Sequence, residues 1–582
     1  MARERSSEVN DQGEEFLAEM RASFWRRHRW MQWVVGGVLV LMVTIGIAVS
    51  IVVRRAEPYM RARIVEALQT RFNAHVELDN FHVSLIHGLE AEGGGLRIWP
   101  PAVVEGVSVA AGASGAPLIS LDQFRFRAPL RFEPGKPVSI SLVELTGLNI
   151  HMPPKSHFGH RPGEPTQSNP VVHALLSFAV DQLKCKDTHF VLETSKPGKL
   201  PLDFAISSFT LTNNSGGPIH AGSVMHFEAE LTNPKPVGQI HSAGTIGPWT
   251  NSDPGESPIA GEYTFDDADL STFKGIGGIL SSNGNYQGTL RDLTVDGETD
   301  TPDFRLTHFG NTMPLHTHFH AKVDATNGDT WLQPVDAKLG HSHFTAQGQV
   351  VRVIDPNGPD GRPISKGHDI ALNIIVDRAR IEDFLHLTSN KPAPLLTGGL
   401  TMKAALHIPP GPIPVHRRLA LNGHFHLDQA RFSSDKIQGR ITDLSLRGQG
   451  RPHDLKTADP EATRSTMEGD FQMGSAVIAL PALSYSVPGA LIELKGTYGV
   501  EGGTLNFAGT AKLDATVSQM VGGVFGKLLK PADRIFKKDG VGTEIPINIG
   551  GTRESPSFGI DFDRLRHKSN NQAPPSPPGQ NP

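Results

Sequence analysis

The stretch LHTHFHAKVD, Leu315 to Asp324, places His316, His318 and His320 at every second position. Imidazole nitrogens are common zinc ligands, and a zinc ion with one open position activates water for hydrolysis. Two histidines at i and i+2 on a strand project from one face and can share an ion. Three in line span roughly 13 Å, too far for all of them to reach one ion at about 2.0–2.1 Å. A zinc hydrolase built here would need ligands from His341 or His343 across the Asn327–Gly328 turn, and His318 with His343 is the pair such a site requires.

A plainer pattern competes with that one. The chain holds 26 histidines in 582 residues, and His75, His82, His407, His424 and His426 also stand at polar positions beside apolar ones. Histidine therefore reads as a recurrent polar-face residue, and no metal is assigned. There is no HExxH, no GxSxG elbow and no phosphate loop ending in Gly-Lys-Ser/Thr. GGVFGK, Gly522 to Lys527, is glycine-rich but runs on into Leu528, within an apolar pattern. The Asp266–Asp267 pair carries nothing that marks an acid and a base. The expectation is a non-enzyme with no catalytic residue and no cofactor.

Composition narrows the class further. Fifty-five Lys and Arg against 60 Asp and Glu give no basic excess for nucleic acid. Gly (61) and Pro (44) are plentiful and dispersed, which favours many turns over long helices. The single cysteine, Cys185, excludes an intrachain disulfide and a cysteine-based zinc cluster.

Trp33 to Val53, WVVGGVLVLMVTIGIAVSIVV, is 21 residues without a charge, roughly 32 Å as a helix. Trp25, Trp30 and Trp33 mark its N-terminal end, where amphipathic rings favour the headgroup region. This predicts a transmembrane anchor. Arg21, Arg26, Arg27 and Arg29 before it are matched by Arg54, Arg55, Arg61 and Arg63 after it, so the positive-inside count is tied. With no second span in view, the expected order is a short cytoplasmic segment and a translocated body.

After the span, Pro58 opens an expected helix with Met60, Ile64, Leu68 and Phe72 on one stripe. The period then changes to two in AHVELDNFHVSL, where Val76, Leu78, Phe81, Val83 and Leu85 alternate with polar residues. RDLTVDG, FRLTHFG, DIALNIIVD, LIELKGTYGV and TLNFAGTAKLD read the same way. Asn327–Gly328, Asn283–Gly284 and Glu501–Gly502–Gly503 supply turn signals between such runs. Short helices are expected at Val171–Leu183 and in three related frames, FDDADLSTF, VDRARIEDF and LDATVSQM. Ala268 matches Ala379 and, more loosely, Ala515, which suggests a repeated unit of strands closed by a helix. The tail from His567, with five prolines and almost nothing apolar, is expected to be disordered.

FNAHVELDNFHVSLIHGLEAEGGGLRI, directly after the span, resembles the opening of AsmA-like proteins, and GTLNFAGTAKLDATVSQMVGGVFGKLLKPADRIFKKDGVGTEIPINIGGTRESPSFGIDF resembles their closing module. The IPINIGGT strand followed by SPSFGIDF is the more distinctive part, and the two segments cover about a quarter of the body. The resemblance implies a protein of the bacterial inner membrane, single-pass, with its body in the periplasm. It also implies similarity to TamB and chorein-type bridges, in which a curled sheet carries lipid chains on an apolar concave face.

The fold expectation is mainly β: one transmembrane helix, then an elongated, curled antiparallel sheet with short interspersed helices. The segments are 1–32 cytoplasmic, 33–53 transmembrane, 54–155 an N-terminal AsmA-like module, 156–375 a central β region, 376–563 a C-terminal AsmA-like module and 564–582 a tail. On the order of 30 strands at about 4.8 Å would give at most ~140 Å. Half of every alternating strand needs apolar company, either a second sheet or a bound lipid tail, at about 0.8 kcal/mol per buried CH₂. Phe81, Val83, Leu85, Phe319, Phe344, Phe425, Leu505 and Phe507 are the expected groove residues. The expected partners are phospholipid acyl chains, the inner membrane and a periplasmic or outer-membrane protein, with no nucleic acid. A scaffold or assembly factor for outer-membrane proteins, with a self-filled core, is the alternative.

Overall fold

The computed structural model describes residues 40, 43–44, 57–66, 68–70, 74–84, 89–99, 102–104, 107–109, 117–128, 140–152, 180–192, 202–213, 222–250, 254–273, 275–307, 311–325, 327–355, 364–389, 393–459, 463–521, 523–536, 542–553 and 555–560. Of the expected span 33–53, only Val40, Val43 and Thr44 are among them, and all three are helical. Among the described residues no helix is long and apolar enough to cross a membrane. The rest of the expected span, the 1–32 segment and the tail lie outside the described residues.

Twenty-five strands pair antiparallel, and Ala102–Val104 with Val107–Val109 form a separate hairpin. Two compact units divide the chain, residues 1–151 and 152–582. In the first, residues 57–66 and 68–70 are helical, as the four-residue stripe predicts. The helix is tied to the sheet where Glu57 Oε1 accepts from the Val83 amide at 3.2 Å and meets His82 Nδ1 at 2.6 Å. Leu89–Ile98 is the hub: Val76–Glu77 and Asn80–Ser84 pair along one edge and Ile119–Ala128 along the other. Leu142–Met152 extends the sheet from Ile119–Ala128. One face is charged, with Arg127 on Glu90 at 3.2 Å and Arg125 on Glu92 at 3.5 Å. The other collects Phe81, Gly93, Phe124 and Leu145 in cross-strand register.

The second unit is a meander in which, apart from the two-residue strand Ile276–Gly277 that pairs with Leu293–Leu306, each strand pairs with its neighbours in sequence, so parallel crossovers are absent among the described residues. Asn327–Gly328 forms the expected hairpin, with Gly328 at φ +85° and Asn327 Oδ1 accepting from the Asp329 amide at 2.7 Å. Residues 500–503 turn between Ala490–Gly499 and Leu505–Leu513, also as expected. Asn283–Gly284 does not turn. It lies inside the strand Ile279–Thr289, where Gly284 faces Tyr263 on one neighbour and Gly297 on the other. Glycine is needed there because a Cβ would press on the Asp296 carbonyl oxygen.

The expected helix Val171–Leu183 is corrected at its described end, since Gln182 and Leu183 open the strand Gln182–Leu192. Leu183 and Cys185 alternate with Lys184 and Lys186 and pair with Leu211 and Phe209, so the period-two signal prevails over the helical one. The three related frames do end strands, but their first halves are strand. Pro258–Asp269 runs into a single turn at Leu270–Thr272, and Ile364–Arg380 into the helix Ile381–Leu387. Leu505–Leu513 leads to the helices Val517–Val521, Gly523–Leu528 and Lys530–Phe536. Ala268 and Ala379 sit at register shifts, both buried.

A further copy, Leu427–Asp428–Gln429–Ala430, precedes the longest of these helices, Asp435–Gly448. Along the ladder, which passes Ile276–Gly277 by, the strands that feed Leu270–Thr272, Ile381–Leu387, Asp435–Gly448 and Val517–Val521 are separated by five, one and three strands. All four insertions therefore leave from the same margin. Among the described residues, one buried cluster around Val376, Leu400 and Leu427 packs against Ile381, Phe384 and Leu385, and another around Tyr485, Ala511 and Leu513 packs against Ile441, Leu444 and Met520.

Candidate functional site

Antiparallel register fixes which residues share a face, because cross-strand partners project to the same side and residues two apart do too. One row of partners can be followed through the second unit without a break. It begins Leu183, Leu211, Phe227, Gly244, Gly261 and Tyr286. It continues through Val295, Ala321, Leu332, Gly348, Leu372 and Leu406. Leu421, Met473, Ile478, Tyr498 and Leu505 close it, making seventeen strands and not one charge. At about 4.8 Å between strands, the sixteen intervals measure roughly 77 Å along the sheet.

The neighbouring rows on this face agree. Cys185, Phe209, Ala229, Ser242, Tyr263 and Gly284 form one, reaching Gly297 and Phe319. Val335, Ala346, Ile374, Ala404, Gly423 and Phe471 form another. Between Ser242 and Thr317 the lining is hydroxyl rather than aliphatic. Tyr286 Oη and Ser242 Oγ lie 2.8 Å apart, Tyr263 Oη and Ser282 Oγ 3.1 Å, and Thr299 Oγ1 and Thr317 Oγ1 2.7 Å. Because Ser242 and Ser282 donate to the Glu262 and Glu298 carbonyls, both phenols donate to serine and no donor is left over in those two pairs. Burial pushes both phenol pKa values up.

Two observations indicate that this face is concave. In Thr312–Asp324, His316 and His318 are exposed whereas Leu315, Thr317 and Phe319 are half-buried, without a second sheet over them among the described residues. Moreover, strand-interior glycines that admit a neighbouring backbone gather on this side, Gly244, Gly261, Gly297, Gly423 and Gly496 among them. Aromatic rings occupy the space a Cβ would take. Phe471 Cζ lies 2.7 Å from the would-be Cβ of Gly423, Phe507 Cδ1 2.6 Å from that of Gly496 and Phe319 Cζ 2.9 Å from that of Gly297. Removing Cβ atoms from one face shortens that face and curls the sheet toward it.

Of the expected groove residues, Phe319, Phe344, Phe425, Leu505 and Phe507 all fall on this one face, by register alone. Phe344 is covered at the helical margin, with its ring 6.1 Å from Phe384. Phe81 and the buried Val83 share a face of the first unit. Leu85 lies outside the described residues. Sequence reading did not reach the row itself, since register between distant strands has no local signature.

The histidines lie on the opposite face. His424 Nδ1 is 2.9 Å from Asp470, His407 Nε2 2.8 Å from Asp369, His189 Nδ1 2.9 Å from Asp203 and His316 Nδ1 3.9 Å from Asp300. His320 makes the same pairing with Asp296. All are half-exposed, so each contributes about 0–1 kcal/mol. His318 faces Glu298 and Asp336, and His343 faces Lys338 and Arg378, so the two stand in different rows. Among the described residues no group of three or more His, Cys, Asp or Glu is placed to hold a metal ion. No protein-family model, curated protein or solved structure matches this chain.

Proposed function

We propose that this chain is an AsmA-like, membrane-anchored protein that holds phospholipid acyl chains along its uncharged face and passes them between membranes in outer-membrane biogenesis. The observation that carries the reading is the seventeen-strand row without a charge, on a face that no second sheet fills among the described residues. A soluble sheet normally closes such a face with another layer. Each CH₂ seated there gains about 0.8 kcal/mol, and the gain repeats along the track without reference to the headgroup. That suits movement of lipid better than recognition of one lipid, and it needs no catalytic group. The body lies in the periplasm and the N-terminal span in the inner membrane.

Photo-crosslinking in the full-length chain tests it, because a one-residue step changes face. Benzoylphenylalanine at Leu372, Leu421 or Tyr498 should capture lipid, whereas at Asn373, Asn422 or Thr497 it should not. Equal capture on both faces, or none on either, would remove the reading. A second reading, a scaffold for outer-membrane proteins, is favoured by the edge strand Pro556–Ile560, where Phe558 is 65% exposed. It predicts protein adducts at Phe558 and no lipid on the row.

A further inference from the structure

On the face opposite the track, we propose a binding site for a linear, β-1,4-linked neutral glycan, centred on Trp331. Two residues, Gln333 and Pro334, stand opposite Gln347 alone, because Leu332 pairs with Gly348 and Val335 with Ala346. This bulge bends the strand and opens a shallow hollow of about 460 Å³ lined by Gln333, Pro334, Gln347, Gln349, Ala371 and Asn373, together with Leu332 and Gly348 of the uncharged row. Trp331 is on the same face as the amides, two residues before Gln333 and directly across from Gln349. Its indole is 41% exposed on an otherwise polar face.

The chemistry of the lining is selective. Each amide both donates and accepts, and the side chains of Gln333, Gln347, Gln349 and Asn373 make no hydrogen bond among the described residues. No charged side chain lines the hollow. Of the charges beside it along the register, Lys322 is paired with Asp292 at 3.1 Å and Asp369 with His407 at 2.8 Å, while Asp336 and Lys403 stand one step outside the lining. The lining itself offers an ionic ligand no counter-charge. A sugar ring does find what it needs: an aromatic plate for its C–H face and unspent amides for its hydroxyls.

The amides also continue in a line. Gln347 pairs with Asn373, then across Ala405 to Asn422 and Gln472, five adjacent strands covering roughly 19 Å. An extended, ribbon-like chain fits such a row, and a compact ligand would leave most of it empty. The amides that would hold the glycan lie on the face turned away from the track.

The test titrates cellohexaose and chitohexaose into the full-length protein in detergent micelles, followed by calorimetry. Saturable binding of at least one of them is expected, weakened tenfold or more by Trp331→Ala. Trp331→Phe, which keeps a ring, should lose only a few-fold, and the Gln347→Ala/Asn373→Ala pair several-fold. These side chains are exposed, and circular dichroism would verify the fold of each variant. Binding of neither hexasaccharide, or binding that Trp331→Ala leaves unchanged in a folded protein, would overturn the proposal. Leu372→Asp, on the track, should leave glycan binding as it is.

Discussion

Cys185 lies on the track face between Leu183 and Phe209, and burial pushes its thiol pKa up to about 11. The thiolate is the reactive form, so at pH 8 native Cys185 should alkylate with iodoacetamide at least ~100-fold more slowly than in urea. Labelling at the unfolded rate would contradict this. The sign of the linkage follows: the folded value is raised, so the stabilisation is intact below about 8.5 and is lost as pH climbs toward about 11. A second residue-scale device is Asp383, 5% exposed, whose Oδ2 accepts from Ser342 Oγ at 2.6 Å and from the His341 amide at 3.1 Å. Asp383→Ala strands the His341 amide and leaves the Ser342 hydroxyl only the longer bond to the Arg380 carbonyl at 3.3 Å, and should cost about 1–3 kcal/mol, whereas Asp383→Asn, which keeps an acceptor, should cost less. Hydrogen exchange at the His341 amide reports it directly, and unchanged protection in the alanine variant would refute the assignment. At this scale the sequence is largely readable. Alternation is local, so the polar-face placement of His316 and His318 follows from Leu315, Thr317 and Phe319 alone. Asp383 is the exception, because a carboxylate in an apparent surface helix gives no sign of the serine 41 residues earlier that buries it.

Elements are half legible for a definable reason. The hairpin at Asn327–Gly328 is written in two residues, since a left-handed Gly328 has no other use there. Asn283–Gly284 carries the same letters with a different cause, the close approach of the Asp296 carbonyl, and only the pairing partner separates the two. The Asp435–Gly448 helix has its own signals, Ser434 before it and Ile437, Ile441 and Leu444 at helical spacing, masked by the internal Gly439. Helix insertion after Phe-Asp-Asp-Ala268, Val-Asp-Arg-Ala379 and Leu-Asp-Gln-Ala430 shows one repeated solution. A bulge buries a small residue and turns the chain out over the face at the same margin. Curl from one-sided glycine is testable at this scale. Gly423→Ala sets a methyl against the Lys403 carbonyl and the Phe471 ring, and should cost about 1–3 kcal/mol. Gly474→Ala, where a Cβ meets nothing within 4 Å, should be near neutral. Equal unfolding midpoints for the two variants would separate glycine from curvature.

On the proposed lipid reading, the question for the whole molecule is whether the track conducts or only stores. A row of seventeen strands is one path only if lipid can pass every point on it, so an obstacle in the middle should be felt beyond itself. Leu372 sits within the row, with Leu211 and Phe227 on one side and Leu421 and Tyr498 on the other. If acyl chains line the row as proposed, Leu372→Asp would place a carboxylate among them, at an effective cost of several kcal/mol, enough to slow passage by orders of magnitude. Asn373→Asp adds the same charge one residue away on the opposite face and should do nothing to lipid. With photo-crosslinkers at Leu211 and Tyr498, conduction predicts that Leu372→Asp lowers lipid capture several-fold at one flank and preserves it at the other. The flank that keeps its lipid identifies the loading end. Storage predicts that both flanks stay filled, since each part of the track would load from its own surroundings. A collapse at both flanks with an intact fold would mean that the row binds lipid only as an uninterrupted whole, and would end the transfer reading while leaving lipid binding in place.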